Sequence, residues 1–380
     1  MKVTSRLPEV GTSIFTVMSR MATEHGAINL SQGFPDFPVS EKLIDLIYQN
    51  MKAGHNQYAP MPGMPALRKT IADVVKRTYK REVDPETEVT ITAGGTEALF
   101  AAIAAFVKPG DEVIIFDPSY DSYGPAVRLN GGVPIHLALA PSDFAIDWSR
   151  VEGAITPCTR LIMINTPHNP SGAVLQEQDL KKLEHLADRH DLIVVSDEVY
   201  ERIIFDGEAH QSVLKYPRLA SRSVSVFSFG KTFHATGWKV GYTVAPEALS
   251  REIRKTHQFI TFSVNTPVQL ALAEYLADPD HYLVLGKFYQ QKRDFFLEQV
   301  KGSQFDPLPC RGSYFQLLSY HKVSKRGDQE MAEWMTREHK LASIPVSAFY
   351  KDRADHQLLR FCFAKGEDTL ARAGEILRRI

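Results

Sequence analysis

Short runs of apolar residues without polar alternation recur through the first two thirds of the chain, and amphipathic segments separate them. Strands that are buried on both faces have this composition, and intervening helices let neighbouring strands run parallel. The pattern therefore predicts an α/β fold in which helices cover both faces of a parallel sheet. The predicted strands are residues 89–92, 112–116, 161–164, 192–195 and a strand that ends near Ser228.

Helical periodicity predicts that helices connect these strands and that helices also dominate the later part of the chain. After Lys239 it indicates a long, mainly helical region, and near Phe288 a smaller α+β unit begins. Short strands at 314–318 and 358–363 belong to that unit. The predicted helices are 41–52, 65–79, 96–107, 177–190, 249–261, 267–276, 288–300, 328–339 and 369–379.

Polar and titratable residues follow directly after the predicted strands. Right-handed crossovers place the carboxyl ends of parallel strands at one edge of a sheet, where α/β proteins bind ligands. We therefore expect these side chains to lie close together. They are Thr96, Tyr120, Asn169, Asp197, Tyr200 and Lys231.

Residues 225–241 combine a strand, hydroxyl groups, glycines and two lysines. Hydroxyls and a cation suit a phosphate, and a deprotonated amine suits a carbonyl. We predict that Lys231 forms a Schiff base with an aldehyde cofactor that carries a phosphate. Ser228 and Lys239 are candidates for the phosphate, together with Gly95 and Thr96 at the predicted start of a helix.

A pyridine aldehyde needs further partners, and the strand ends offer them. A buried carboxylate keeps the ring nitrogen protonated, and Asp197 is the candidate rather than Glu198, which should face the opposite side. Asn169 and Tyr200 can donate to the phenolic oxygen of the ring, and Tyr120 can stack on its face.

Composition and charge exclude several classes of protein. The chain of 380 residues is 44% hydrophobic and 23% charged, with a formal net charge of −1, so it shows no basic footprint for nucleic acid or an anionic membrane. Its three cysteines form no CxxC pair, which predicts reduced, mostly buried thiols and no metal site. Since no run of about 18 apolar residues occurs, we expect a soluble, cytoplasmic protein.

Four motifs, in this order along the chain, resemble those of the fold type I, class I/II aminotransferases that depend on pyridoxal 5′-phosphate. They are Asn169-Pro170-Ser171-Gly172, Asp197-Glu198-Val199-Tyr200, Ser228-Phe229-Gly230-Lys231-Thr232 and Thr236-Gly237-Trp238-Lys239-Val240-Gly241. The resemblance extends from Leu30 to Phe363 and is greatest to bacterial methionine aminotransferases and the kynurenine aminotransferase/glutamine transaminase K group. This chain has Lys239 at a position where many members of the family have an arginine.

The resemblance implies a large domain over 46–280 with a mostly parallel seven-stranded sheet, and a small α+β domain from 1–45 and 281–380. It implies that Arg360 clamps the substrate α-carboxylate, assisted by Asn169 and the Gly33 backbone. It also implies an obligate homodimer in which Tyr58 reaches the phosphate of the neighbouring subunit. From spacing alone, Arg360 is expected on the surface of a C-terminal strand.

The implied reaction is ping-pong transamination between an L-amino acid and a 2-oxo acid. An aromatic pocket suits a methionine, aromatic or glutamine-like donor, and no second arginine is available for a dicarboxylate. The expected pocket residues are Phe15, Phe34, Tyr58, Tyr120 and Phe262.

Three other functions remain to be weighed. β-Elimination from cysteine S-conjugates, or kynurenine transamination, would use the same site. A dinucleotide oxidoreductase is disfavoured because residues 93–97 lack the GxGxxG spacing. A regulatory binding protein would need an added DNA-binding domain, for which length and charge leave no room.

Overall fold

The structure is a computed structural model that describes residue 1 and residues 3–380. Among these residues, no helix is long and apolar enough to cross a membrane. The strands are β1 (Ile28–Asn29), β2 (Val89–Thr92), β3 (Glu112–Asp117), β4 (Val133–Ala138), β5 (Thr159–Asn165), β6 (Ile193–Asp197), β7 (Ser223–Ser228), β8 (Gly241–Val244), β9 (Asp306–Pro307), β10 (Phe315–Ser319), β11 (Leu341–Ala342), β12 (Ile344–Pro345) and β13 (Leu358–Cys362).

Most of the predicted helices begin and end within a few residues of the observed helices. Single turns of 3₁₀ helix add Val213–Lys215, Thr236–Trp238 and Val346–Phe349. The α-helices are α1 (Ile14–Glu24), α2 (Glu41–Lys52), α3 (Pro65–Tyr79), α4 (Gly95–Phe106), α5 (Tyr123–Leu129), α6 (Trp148–Ala154), α7 (Glu177–Arg189), α8 (Pro217–Ala220), α9 (Phe229–Thr232), α10 (Glu247–Ile260), α11 (Thr266–Leu276), α12 (Asp280–Leu283), α13 (Leu285–Val300), α14 (Asp328–Glu338) and α15 (Glu367–Arg379).

A seven-stranded sheet in the order β2-β8-β7-β6-β5-β3-β4 forms the centre of the fold. All neighbours from β7 to β4 are parallel, which confirms the predicted fold class. Strand β8 runs antiparallel to both β2 and β7.

The prediction of a mainly helical region directly after Lys239 is wrong for β8. This strand has only four residues, so it carries little periodicity of its own. Gly241 allows it to approach the neighbouring backbone, because a Cβ there would lie 2.6 Å from the carbonyl oxygen of Phe227. Edge strand β4 also escaped prediction, since most of its residues are only partly buried.

Alternate residues of the central strands enter two separate cores. Ile114, Ile162 and Val194 pack with the leucines of α7 on one face. Val113, Leu161 and Val195 pack on the other face with α4. Each fully buried side chain of this kind contributes about 1.5–3 kcal/mol of transfer free energy. The continuous apolar runs in the sequence follow from this two-sided burial.

The N- and C-terminal segments build a second unit. Strands β12, β13, β10 and β9 form an antiparallel sheet, and β1 pairs in parallel with β11. These elements share a hydrophobic core with α1 and α13 to α15, as expected for an α+β unit.

We propose one change to the expected domain boundaries. A boundary at 45/46 would divide α2, whose Leu43 packs with Leu67 of α3 and Leu272 of α11. Helix α2 therefore belongs with the large unit, and the N-terminal part of the small unit ends near residue 40.

Candidate active site

A cavity of about 250 Å³ lies at the carboxyl edge of the central sheet, where the second unit covers it. Every residue predicted for the site lines this cavity except Phe34, Tyr58 and Phe262. The lining residues are Phe15, Gly33, Gly95, Thr96, Tyr120, Asn169, Asp197, Tyr200, Ser228, Lys231, Lys239 and Arg360.

Lys231 stands on α9, the short helix that follows β7 directly. Its Nζ lies 3.0 Å from Oη of Tyr314 and 3.3 Å from the carbonyl oxygen of Gly33. Burial lowers the pKa of Lys231 to about 8; nearby Cys362 opposes the shift and the Arg360 charge adds to it. A pKa this low gives a far larger neutral fraction near physiological pH than an ordinary lysine has, and the neutral amine is the nucleophile.

Asp197 ends β6 and is buried beside the cavity. Its Oδ2 accepts a hydrogen bond from the hydroxyl of Tyr123 at 2.5 Å, and its Oδ1 accepts one from the Val199 amide at 3.3 Å. Burial raises the pKa of Asp197 to about 6, while these two hydrogen bonds and Lys231 oppose the rise. The carboxyl group is thus largely ionised at neutral pH, with Tyr123 as its main donor.

Glu198, the next residue, lies outside the cavity. Its Oε2 is 2.7 Å from Nε2 of His210, and its Oε1 accepts from Ser196 and from the Val213 amide. The two adjacent carboxylates therefore have separate surroundings, and only Asp197 lines the cavity.

An anion cradle forms where β2 turns into α4. Gly94, with φ of 81°, is the N-cap of this twelve-residue helix, whose first amides have no helical acceptor. A Cβ on Gly94 would lie 3.4 Å from Nζ of Lys239, and one on Gly95 would lie 3.0 Å from Val199. Glycine at both positions leaves this space open beside Thr96, Ser228 and Lys239.

Arg360 is fully buried, so the expectation of a surface residue is wrong. It lies on β13, which is covered by β10 and β12 on its two edges, and its guanidinium lies 3.9 Å from the ring centre of Phe315. One terminal nitrogen donates to Oδ1 of Asn169 at 2.8 Å and the other to the Ser31 carbonyl at 2.9 Å.

The charge of Arg360 has no counter-ion among the described residues. Among the described residues, no carboxylate lies within 4.0 Å of the guanidinium, so that Asp121 acts on it only at longer range, and Nε has no hydrogen-bond acceptor. Burial lowers the pKa of Arg360 to about 10, which leaves the group positively charged. Because an uncompensated buried charge is costly, the cavity favours a carboxylate ligand at this point.

Sequence reasoning did not identify Tyr123 and Tyr314 as site residues. Tyr123 is hydrogen-bonded to Asp197, and Tyr314 to Lys231. Because these partners are distant in sequence, local spacing does not reveal either tyrosine. Phe315, which stacks on Arg360, was missed for the same reason.

Three expected aromatic residues lie outside the cavity. Phe34 packs beneath Lys365, and Tyr58 contacts Phe262 at 5.3 Å between ring centres. The side chain of Tyr58 is 82% exposed. Phe15 and Tyr120 do line the cavity.

A second cavity, of about 390 Å³, shares Asn165 with the first, but no predicted site residue lines it. Tyr123 and His168 are among the residues that line it. His168 is buried, with Nδ1 2.7 Å from Oγ of Ser171, and burial lowers its pKa to about 4.

The family model for aminotransferases of class I and II matches residues 25–377. The chain belongs to this family. It is therefore an aminotransferase that depends on pyridoxal phosphate, which confirms the predicted enzyme class and cofactor.

Individual relatives of this aminotransferase cover nearly its whole length. It is 52% identical to methionine aminotransferase of Escherichia coli, over 99% of this chain and 98% of the relative. It is 33% identical to human kynurenine–oxoglutarate transaminase 1, over 98% and 97%. The crystal structure of E. coli YbdL, described as having a methionine aminotransferase function, matches with a TM-score of 0.98 and 51% identity over the full length of both chains.

The residues present fit pyridoxal phosphate. The cradle at Gly94 and Gly95 suits its phosphate, a buried amine faces the same cavity, and Asp197 retains free acceptor capacity for a ring nitrogen. Asn169 and Tyr200 line the same cavity.

We predict that Tyr123→Phe raises the pKa of Asp197 above about 6, because the carboxylate loses its shortest hydrogen bond. Carbon-13 NMR titration of cofactor-free protein labelled at aspartate measures this value, and Asp197→Asn identifies the signal. Tyr350→Phe is the control, since the Tyr350 hydroxyl is buried without a partner among the described residues. An unchanged titration in Tyr123→Phe would show that the hydroxyl does not stabilise the carboxylate.

Proposed function

We propose that this enzyme transfers the amino group of methionine, or of an aromatic or glutamine-like L-amino acid, to a 2-oxo acid in a ping-pong cycle. The observation that carries the proposal is the pair of basic groups in one cavity. A buried guanidinium without a counter-ion lies near a buried amine whose pKa is about 8. Together they suit a substrate with a carboxylate next to its reacting carbon.

Arg360 and Asn169 would bind the substrate carboxylate. Nε of the guanidinium has no hydrogen-bond partner among the described residues, and the contact of a terminal nitrogen with Asn169 fixes the plane of the fork. Phe315 and Phe349 pack against the guanidinium and exclude water from it. The α-carbon of the substrate is thereby held within reach of Lys231.

Lys231 would bond the cofactor and then move the substrate proton. Its neutral form has a lone pair that would accept the α-proton, and the amine would then deliver this proton to the carbon that belonged to the cofactor's aldehyde group. When bound, pyridoxal phosphate supplies a protonated ring that accepts the electron pair left on the α-carbon.

The remaining wall residues would orient the cofactor. Asp197 would bind the ring nitrogen, Tyr120 would stack on the ring, and Gly95, Thr96, Ser228 and Lys239 would hold the phosphate. Tyr200 and Asn169 would donate to the ring oxygen. Burial keeps the pKa of Tyr200 above its ordinary value, so its hydroxyl stays protonated and able to donate.

An uncharged donor side chain is favoured by the cavity wall. Phe15, Tyr120 and Phe315 line it, and Arg360 is the only arginine among its described lining residues. A second carboxylate on the substrate would find no equivalent partner there. The name of the E. coli relative supports methionine, and that of the human relative supports kynurenine as a second donor.

β-Elimination from cysteine S-conjugates is the second candidate reaction. It would begin with the same proton removal by Lys231, and it differs in the departure of a group from the β-carbon. The same wall accommodates both kinds of substrate, so the donor decides the outcome.

We also propose a homodimer in which Tyr58 serves the cofactor phosphate of the partner subunit. Tyr58 lies outside the cavity of its own chain and is 82% exposed. Phe259 and Phe262 are exposed nearby, at 86% and 46%, which suits a surface covered by a second copy.

We propose a cytoplasmic location, because the three free cysteines, two of them buried, suit a reducing compartment.

Borohydride treatment of the purified, yellow protein is expected to fix the cofactor on Lys231, as peptide mass spectrometry would show. The Lys231→Ala variant should bind the cofactor without fixing it and lose transamination by at least about 100-fold. Lys292→Ala is the control, because it removes a partly buried lysine that does not line the cavity. Cofactor fixed to another lysine, or none fixed at all, would contradict the assignment.

Donor preference is expected to follow the cavity wall. Ranked by kcat/KM with several 2-oxo acids, methionine, phenylalanine and glutamine should exceed aspartate by at least about 100-fold, since an unpaired second carboxylate costs several kcal/mol. Pyruvate formation from a cysteine S-conjugate, measured in parallel, reports β-elimination. Aspartate as the best donor would refute the proposed specificity.

Mixed dimers test the role of Tyr58. Tyr58→Phe should weaken cofactor affinity by roughly 10-fold, the effect of one lost hydrogen bond. Mixing this variant with Lys231→Ala should restore one intact site in each mixed dimer, with wild-type cofactor affinity. No restoration would place the action of Tyr58 within its own subunit.

A further inference from the structure

Two oxygen atoms from the second unit hold the amine of Lys231. Its Nζ lies 3.0 Å from Oη of Tyr314 and 3.3 Å from the carbonyl oxygen of Gly33. The Tyr314 hydroxyl also donates to that carbonyl, at 2.6 Å. The three atoms therefore form a closed triangle, with two oxygen acceptors on one side of the amine.

The direction of these hydrogen bonds follows from the number of protons. A phenol has a single proton, and that of Tyr314 is engaged by the Gly33 carbonyl. Oη therefore presents a lone pair to Lys231, and a carbonyl oxygen can only accept. The amine must donate to both atoms, so its own lone pair faces away from them.

The surroundings hold Tyr314 in place. Its side chain is fully buried, and its ring centre lies 5.1 Å from that of Tyr200, 5.8 Å from that of Tyr289 and 4.9 Å from that of Phe315. Burial keeps the pKa of Tyr314 well above its ordinary value, so the phenol keeps its proton.

Gly33 is needed for the approach of its carbonyl. A Cβ at this position would lie 2.7 Å from the ring of Phe315 and 3.6 Å from that of Tyr314. A larger residue would push the loop, and with it the carbonyl, away from the lysine. The geometry thus depends on both terminal segments of the chain.

We propose that the Tyr314 hydroxyl and the Gly33 carbonyl form a dock that positions the free amine of Lys231 with its lone pair toward the cavity. The dock acts whenever the amine is not bonded to the cofactor, so it rests on the proposed role of Lys231. Tyr314 is a positioning residue: it orients the nucleophile before cofactor capture and the base before proton transfer. After the amine accepts the α-proton, the same oxygens accept hydrogen bonds from the ammonium.

The first test is the rate at which cofactor-free protein captures pyridoxal phosphate covalently, followed by absorbance. Tyr314→Phe retains the ring but removes the hydroxyl, and we expect capture to slow by about 10-fold, since misplaced reacting groups lose rate steeply. Affinity for 4-deoxypyridoxine 5′-phosphate, which has no aldehyde, should stay within about 2-fold because it does not need the amine. Tyr289→Phe is the matched control, as its hydroxyl bonds Nδ1 of His234 instead.

The second test is the kinetic isotope effect with an α-deuterated amino acid. A misplaced base makes proton transfer slower, so Tyr314→Phe should lower kcat and increase the isotope effect, with KM nearly unchanged. Tyr289→Phe should leave all three values as in the wild type. Equal decreases in kcat in the two variants would indicate that Tyr314 has only a structural role, and would overturn the proposed dock.

Three further outcomes are decisive. Capture by Tyr314→Phe at the wild-type rate, or faster, would overturn the proposal. Should this variant lose affinity for the analogue, Tyr314→3-fluorotyrosine keeps the shape and weakens the acceptor, and unchanged capture there would overturn the proposal equally. Failure of wild-type protein to bond the cofactor at Lys231 would instead reject the proposed function.

Discussion

The burial of Lys231 and Arg360 in one cavity is the constraint on which the site depends. Either group alone would be costly to remove from water, because neither has a carboxylate within ion-pair distance among the described residues. Lys231 meets this cost partly through a pKa lowered to about 8, which makes the neutral form easier to reach than in an exposed lysine. Arg360 stays charged and is left ready for an anion.

The two units of the fold make this arrangement possible together. The central sheet supplies Asp197 and Lys231 from the ends of adjacent parallel strands, β6 and β7. The second unit supplies Arg360 from β13, and the loop after β1 brings the Gly33 carbonyl to the lysine. The reacting groups therefore meet only when the terminal segments have closed over the carboxyl edge of the sheet.

The positions of strands β3, β5 and β6 were predictable because two-sided burial leaves continuous apolar runs, whereas β2 alternates Val and Ile with threonine. The residues after those strands could be predicted to meet, since parallel strands end at one edge. Strand β8 was not predictable, because four residues starting at a glycine give no clear period.

Residues that act across the two units were harder to find. The burial of Arg360 depends on the packing of β10, β12 and Phe15 around it, which local spacing does not encode. The same holds for Tyr314, whose hydroxyl meets the Gly33 carbonyl from a distant part of the chain. Motifs similar to those of a known family identified Arg360, whereas Tyr314 became visible only through its hydrogen bonds.

The pH dependence of covalent capture by cofactor-free wild-type protein tests the central claim most directly. At each pH, the capture rate is divided by the rate at which a small free amine reacts with pyridoxal phosphate. This ratio corrects for the titration of pyridoxal phosphate itself. A buried lysine with a pKa of about 8 predicts a rate that rises with pH and levels off above this value. A rate that continues to rise to about pH 10, as for an exposed lysine, would contradict the account.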